Sequence, residues 1–226
     1  MFVHLHVHNE YSFLDGLGKA RDYLQRAKDL GQTFLALTNH ANIDGFLDFQ
    51  REAEKIGISP IFGCELYVVP DMSYKNKGEE RYHLTVLIES NEGFENLCKM
   101  LTKANLRGFY YKPRVDFRLL LKYCQGLIFL TGCSSSLLLS DKHKSFIFEL
   151  QKKIPGKVYL EVMPHSFDKQ KELNVICFQI SREYGWPLVA TNDCHYIRQE
   201  DNILQEILLA IQTKSTWEDP DRFRFQ

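Results

Sequence analysis

His4-Leu5-His6-Val7-His8-Asn9-Glu10-Tyr11-Ser12-Phe13-Leu14-Asp15-Gly16 is the stretch on which the reading of this 226-residue chain turns. Three imidazoles alternate with two aliphatic residues. Side chains two apart on an extended strand point to the same side. His6 and His8 would therefore face one centre while Leu5 and Val7 face packing. Leu14-Asp15-Gly16 then closes the run with a carboxylate and a turn residue. Neutral imidazoles beside a carboxylate are the donors that a borderline divalent metal takes. A strand with histidines on a wet face would show the same local pattern, so the rest of the chain must decide.

Downstream, apolar runs alternate with amphipathic ones. Strands are expected at Phe2–His6, Phe34–Thr38, Ile61–Val69, His83–Ile88, Gly126–Leu130, Val158–Val162 and Pro187–Ala190. Helices are expected at Lys19–Leu30, Phe46–Ile56, Gly93–Ala104, Lys169–Tyr184 and Asn202–Gln212. This alternation predicts a parallel α/β architecture. There is no GxGxxG after the first strand and no GxxxxGK[ST], so neither a dinucleotide fold nor a P-loop is supported.

The ligand-type residues fall at strand ends. His6 and His8 end the first strand, His40 follows the second, and Cys133 follows the fifth. Asp193 and His195 follow the seventh and repeat the spacing of the opening stretch. In a β/α barrel such ends share one mouth. Glu65 sits inside an apolar strand, where an unpaired carboxylate is very costly and so needs a partner. Cys133 taken alone is more often just a small buried residue. His83 begins its strand instead of ending it, which the barrel rule accommodates only if that strand runs the other way.

Composition adds bounds. Hydrophobic residues make up 44% and charged residues 25% of the chain, an ordinary globular balance, and the net charge of -1 does not by itself suggest nucleic acid. No stretch approaches the roughly 18 apolar residues of a membrane span, and no basic region precedes an apolar block as in a secretory leader. A cytoplasmic location is expected, with the six cysteines as free thiols or single ligands.

Taken together, these motifs resemble the PHP (polymerase and histidinol phosphatase) domain, in the version at the N-terminus of bacterial DNA polymerase III alpha subunits. The resemblance is carried by His4-Leu5-His6-Val7-His8, Ala36-Leu37-Thr38-Asn39-His40, Gly63-Cys64-Glu65, His83-Leu84 and Tyr110-Tyr111-Lys112-Pro113-Arg114. It continues through Leu130-Thr131-Gly132-Cys133, Tyr159-Leu160-Glu161, Ala190-Thr191-Asn192-Asp193-Cys194-His195-Tyr196 and Asp219-Pro220-Asp221-Arg222. It implies one domain over residues 1–226, folded as a distorted seven-stranded β/α barrel. It also implies three divalent metals held by His6, His8, Asp15, His40, Glu65, His83, Cys133, Asp193 and His195. A thiolate favours zinc, while imidazole and carboxylate also suit manganese and iron. The chain departs from the family pattern at Asn39, usually Asp, and at Asn9, usually Ser or Thr; neither is a ligand position.

The implied activity is phosphoester hydrolysis with His8, Asp15, Glu65 and Asp193 as catalytic residues. In the context of a replicative polymerase this reads as a 3′–5′ exonuclease on DNA. A basic segment with interleaved aromatics supplies candidate nucleic-acid contacts in Arg107, Tyr111, Lys112 and Arg114. Two other readings stay open: a small-molecule phosphomonoesterase of the histidinol phosphatase type, or a metal-holding structural domain of the polymerase. Expected partners are DNA and the remainder of a polymerase, with no membrane.

Overall fold

The structure is a computed structural model that describes residues 2–78, 80–220 and 222. Its strands are β1 (Phe34–Leu37), β2 (Ser59–Val69), β3 (Tyr82–Ile88), β4 (Arg114–Asp116), β5 (Leu127–Leu130), β6 (Val158–Val162) and β7 (Leu188–Ala190). The helices are α1 (Ala20–Asp29), α2 (Phe46–Ile56), α3 (Asn91–Leu106), α4 (Phe117–Tyr123), α5 (Ser145–Lys153), α6 (Asp168–Tyr184) and α7 (Asn202–Thr213). The strands form one curled sheet in the order β1-β2-β3-β5-β6-β7, with β4 paired to β2 outside that path.

Most neighbours are parallel, but β3 runs antiparallel to both β2 and β5. The reversal answers the His83 anomaly. In a strand that runs backwards, the first residues lie at the end where the other strands finish. His83 pairs with Tyr67 near the end of β2.

The expected first strand is not one. Residues 4–8 form an extended closing segment instead. His4 O and Val7 O accept from Ala36 and Thr38 of the β1 side. On the other side His8 N donates to Cys194 O and Cys194 N donates to His6 O. Split between two neighbours, the segment makes only an isolated bridge, yet it joins the two edges of the sheet. Arg114–Asp116, α4 and α5 were not expected. They are too short for periodicity to separate from a loop or an apolar run.

Period-two alternation decides what lies inside and outside. Leu66, Val68, Leu84, Val86, Phe129, Val158 and Leu160 face outward into the main core under the helices. Leu35 and Leu37 face outward against α1 and α2. The alternate positions point inward. Ala36, Leu87 and Leu130, packed with Leu5, Ile61, Ile128, Tyr159 and Val189, plug one end of the interior. Further along the same columns stand Glu65, His83 and Glu161. An apolar floor with polar residues above it places all of the ligand chemistry at one mouth.

Candidate metal centre

All nine expected ligands converge at that mouth. Glu65 is at its centre. Its Oε1 lies 3.4 Å from His6 Nε2 and 2.9 Å from His83 Nδ1. Its Oε2 lies 2.6 Å from His40 Nδ1 and 3.6 Å from His8 Nε2. One carboxylate thus presents a separate oxygen to each of two imidazole pairs. Asp193 Oδ1 approaches His6 Nε2 at 3.2 Å and His8 Nε2 at 3.3 Å. Asp15 faces His40 at 3.0 Å and His195 at 3.6 Å. Cys133 Sγ is 3.5 Å from His83 Nδ1 and 3.8 Å from Glu65 Oε1. Three overlapping triads have the closeness of a metal site: His8 with His40 and His195, His6 with His8 and Asp193, and His40 with Glu65 and His83.

The backbone is held in unfavourable conformations to achieve this. Leu14, Ala41 and Asp193 have φ of 60°, 49° and 48°, each within one residue of a ligand or a ligand itself. Such positions cost about 1–3 kcal/mol each and persist where surrounding structure over-determines them. Gly132, at φ +84°, precedes Cys133, and a Cβ there would meet His83 O at 2.5 Å. Gly16 needs its missing side chain for a different reason: a Cβ would stand 2.2 Å from Asn9 O.

The donors fit a cation better than they fit each other. His8 Nε2, His40 Nδ1, Glu65 Oε2 and Asp193 Oδ1 are buried without a partner in hydrogen-bonding geometry, although Glu65 Oε2 is 2.6 Å from His40 Nδ1 and Asp193 Oδ1 is 3.3 Å from His8 Nε2. Orphaned buried polar atoms are costly; divalent metals would satisfy all four at once. The proton affinities reflect the same crowding. Burial opposes charge on His40, but Glu65 and Asp15 raise its pKa to about 10. Burial, with His40 and His195 nearby, lowers His8 to about 3. Glu65 and Asp193 resist burial and are held well below the carboxylate range by the surrounding histidines. Burial pushes the Cys133 thiol up, and Glu65 adds to that. A thiolate there therefore needs a metal to form.

Exposure shows which way the centre opens. His6, His8, Glu65, Asp193 and His195 are buried, whereas the side chains of Asp15 and His83 are 17% and 21% exposed. The open side is the Asp15–His40–His83 rim. Tyr67 walls it, stacking on His40 and meeting His83 edge-on.

The family model described as PHP domain matches residues 4–165. The chain belongs to the PHP domain family. The DNA polymerase III subunit alpha of Treponema pallidum (strain Nichols) is 41% identical over 237 residues, covering 100% of this chain and 20% of that protein. The Thermus aquaticus subunit is 37% identical over 238 residues, covering 99% and 20%. The chain thus spans about a fifth of the length of these curated relatives. Among solved structures, a Bifidobacterium adolescentis protein assigned as a metal-dependent phosphoesterase superposes with a TM-score of 0.60 at 12% identity, over 85% of this chain and 87% of that one. An amidohydrolase from Chromobacterium violaceum superposes with a TM-score of 0.58 at 15% identity, over 88% and 89%. Likeness at those identities speaks to the fold alone.

Within this PHP domain the supporting polar shell was largely unread from sequence. Glu161, fully buried on β6, accepts from His6 Nδ1 at 2.9 Å, Thr191 Oγ1 at 2.6 Å and Gly132 N at 2.9 Å. The signal was present: Glu161 interrupts the apolar run Val158–Val162 as Glu65 interrupts its own strand. Asn39, one of the departures from the family pattern, keeps a role. Its Oδ1 accepts from Ser12 Oγ at 2.8 Å, and that hydroxyl in turn contacts His8 Nδ1 at 2.9 Å. The ring is thereby turned so that Nε2 faces the centre. Asn9, the other departure, accepts from Asn39 Nδ2 at 2.8 Å.

The basic segment divides. Arg114 is corrected from a nucleic-acid contact to a buried strut: it is fully covered, with Nε donating to Gly108 O and Nη2 to Met72 O. A guanidinium enclosed in this way cannot reach a phosphate. Arg107 is exposed and caps α3 in the outer helical layer. Lys112 lies at the rim, its Nζ 5.7 Å from the Tyr67 ring centre, and Tyr111 beside it is exposed. Of the Asp219-Pro220-Asp221-Arg222 segment, Asp221 lies outside the described residues. Arg222 pairs with Glu206 at 2.6 Å.

Proposed function

We propose that this PHP domain is a metal-dependent phosphoesterase that removes nucleotides from the 3′ end of DNA. In this reading it works in the cytoplasm as part of a DNA polymerase III alpha subunit. The observation that carries the reading is the convergence of nine donors, four of whose buried atoms crowd one another without hydrogen-bonding geometry. The relatives are replicative polymerase subunits, which favours a DNA end as substrate.

His6, His8 and Asp193 would hold one ion, His40, Glu65, His83 and Cys133 a second, and Asp15 with His195 and the shared histidines a third. Zinc is the assignment that the Cys133 donor favours. When bound, such ions lower the pKa of water to about 7 and stabilise charge on a phosphoryl group. The protein's own part is positional. Glu65 spaces the two imidazole pairs with its two oxygens. Asp193 draws His6 and His8 together, and Ser12 holds the His8 ring in plane. Asp15 and His83 stand at the open rim, where a phosphoester enters. No side chain is placed as a separate general base. We read residues 1–226 as one domain, because β7 and the donors Asp193 and His195 lie beyond the family match yet complete the cluster.

The test pairs elemental analysis of the purified protein with nucleotide release from 3′-labelled single-stranded DNA. About three zinc ions per chain and 3′-end release, both lost in His8→Ala and Asp193→Ala, are expected. Full metal content without release would overturn the exonuclease reading and favour a small phosphoester substrate or a structural role.

A further inference from the structure

Two cations converge on the open rim: Lys112 of the basic segment and Arg81, which lies outside it. Arg81 Cζ and Lys112 Nζ each lie 5.7 Å from the centre of the Tyr67 ring. That same ring stacks on His40 at 5.5 Å and meets His83 edge-on at 5.2 Å. Both cations therefore sit one aromatic ring away from two of the nine donors, on the exposed side. Among the described residues, neither has a carboxylate within ion-pair distance, although most other charged contacts at the site are carboxylate pairs. Two like charges held over one ring repel each other. Cation–π attraction contributes only about 0.5–2 kcal/mol each.

The neighbouring turn adds an aromatic surface. Tyr110 N donates to Lys112 O at 3.1 Å, which puts Tyr111 at the tip of a tight turn. Tyr111 adopts φ 59° and leaves 70% of its surface exposed. A bulky residue in the left-handed region is uncommon, and an exposed ring there gains nothing from burial. Strained conformation and exposed apolar area coincide at a residue adjacent to the rim cation.

We propose that Arg81 and Lys112, mounted on Tyr67, form a phosphate clamp for a second phosphate of the substrate, and that Tyr111 takes the face of its base. The inference rests on the phosphoesterase reading and adds to it the groups that would hold the DNA strand beside the metal centre. A small phosphomonoester has one phosphate, and the nine donors already surround the place where it would react. Cations beside them, which ligate no metal, are useful for a substrate with a further phosphate along its backbone. An aromatic face tolerates any base, so the clamp selects for nucleic acid without selecting sequence.

The experiment measures binding of a 5′-fluorescein-labelled short oligothymidylate by anisotropy across a salt series. It compares wild type, Arg81→Gln, Lys112→Gln and Tyr111→Ala, with and without added zinc. Neutralising either cation is expected to weaken binding several-fold and to take about 0.7 from the slope of log affinity against log salt. Tyr111→Ala is expected to weaken binding with the slope unchanged. Metal content and melting temperature should stay near those of wild type in all three, because Arg81 and Tyr111 are exposed and the half-buried Lys112 has no ion pair among the described residues. Wild-type slope and affinity in both charge variants would overturn the clamp, as would a wild-type protein that does not bind the strand. If the variants lose affinity while the wild type releases no nucleotide, the clamp stands and the exonuclease reading falls.

Discussion

Glu161→Gln tests whether the centre depends on a residue that ligates nothing. The substitution preserves shape, so its effect is one of charge and proton placement. In the native protein Oε1 accepts from His6 and Thr191, and Oε2 accepts from Gly132 N. A glutamine has only two ways to sit. With its oxygen toward His6 and Thr191, its NH2 faces the Gly132 N–H, and a buried donor is left unpaired at a cost of about 1–3 kcal/mol. With its NH2 toward His6, the imidazole must carry its proton on Nε2, the nitrogen that faces Asp193 and Glu65. The lone pair that a metal would use is then gone. In either pose His6 loses a carboxylate that raises its basicity. Removing such an outer partner costs about 10–100-fold in metal affinity, or about 1.4–2.8 kcal/mol. Zinc affinity measured against a competing chelator, with denaturant unfolding of the metal-free variant, separates the two effects. A variant that loses stability but binds zinc as tightly as wild type would refute the orienting role.

Arg114→Met should destabilise the fold by roughly 3 kcal/mol, since two backbone carbonyls lose a charged donor inside the protein, and the salt dependence of DNA binding should be unchanged; a reduced salt slope would return Arg114 to the DNA contacts. Gly132→Ala forces a Cβ against His83 O and holds alanine at positive φ, so a loss of about 1–3 kcal/mol and a drop in bound metal are expected by melting and elemental analysis. Metal loading at pH 7 should release protons, because His40 holds its proton up to about 10 in the metal-free protein and a ligand imidazole must be neutral. Calorimetry in two buffers of different ionisation heat counts them, and none released would contradict the reading. By linkage, the His40 contribution to metal-free stability is full below pH 6.5 and is lost as pH rises through about 10. Glu65 and Asp193, held low, withdraw theirs only in strong acid. Chelation should lower the melting temperature: at 100 times Kd an ion adds about 2.7 kcal/mol, or roughly 5–10 °C for a chain this size.

The candidate donors and six of the seven strands were legible in the chain itself. The opening imidazoles at spacing two, Glu65 inside its apolar strand and the matching pair Asp193 and His195 are local features. Local chemistry marks them as candidates, and only the set of them together, with the family resemblance, names a ligand group. The longer helices followed from periodicity in the same way, with α2 falling at Phe46–Ile56 as expected, whereas the short α4 and α5 did not. Glu161 carried the same signal as Glu65. A buried carboxylate declares only that it has a partner, and whether that partner is a metal or a histidine depends on what lies across the barrel.

The remainder depended on long-range pairing. The reversed direction of β3, which carries His83 to the mouth, is a property of its two neighbours and not of its own residues. Residues 4–8 have strand composition, but their hydrogen bonds are shared between β1 and the segment after β7, so they close the sheet without forming a strand. Arg114 and Lys112 are two residues apart in one basic run. One is enclosed by backbone carbonyls and the other stands over Tyr67, because Arg114 is fixed in β4 while Lys112 lies before it, next to the turn at Tyr111. Sequence determines which chemistry is available and at what local spacing. Strand direction, register and closure decide which of those groups share a single volume, and they are set by contacts between residues as far apart as His6 and Asp193.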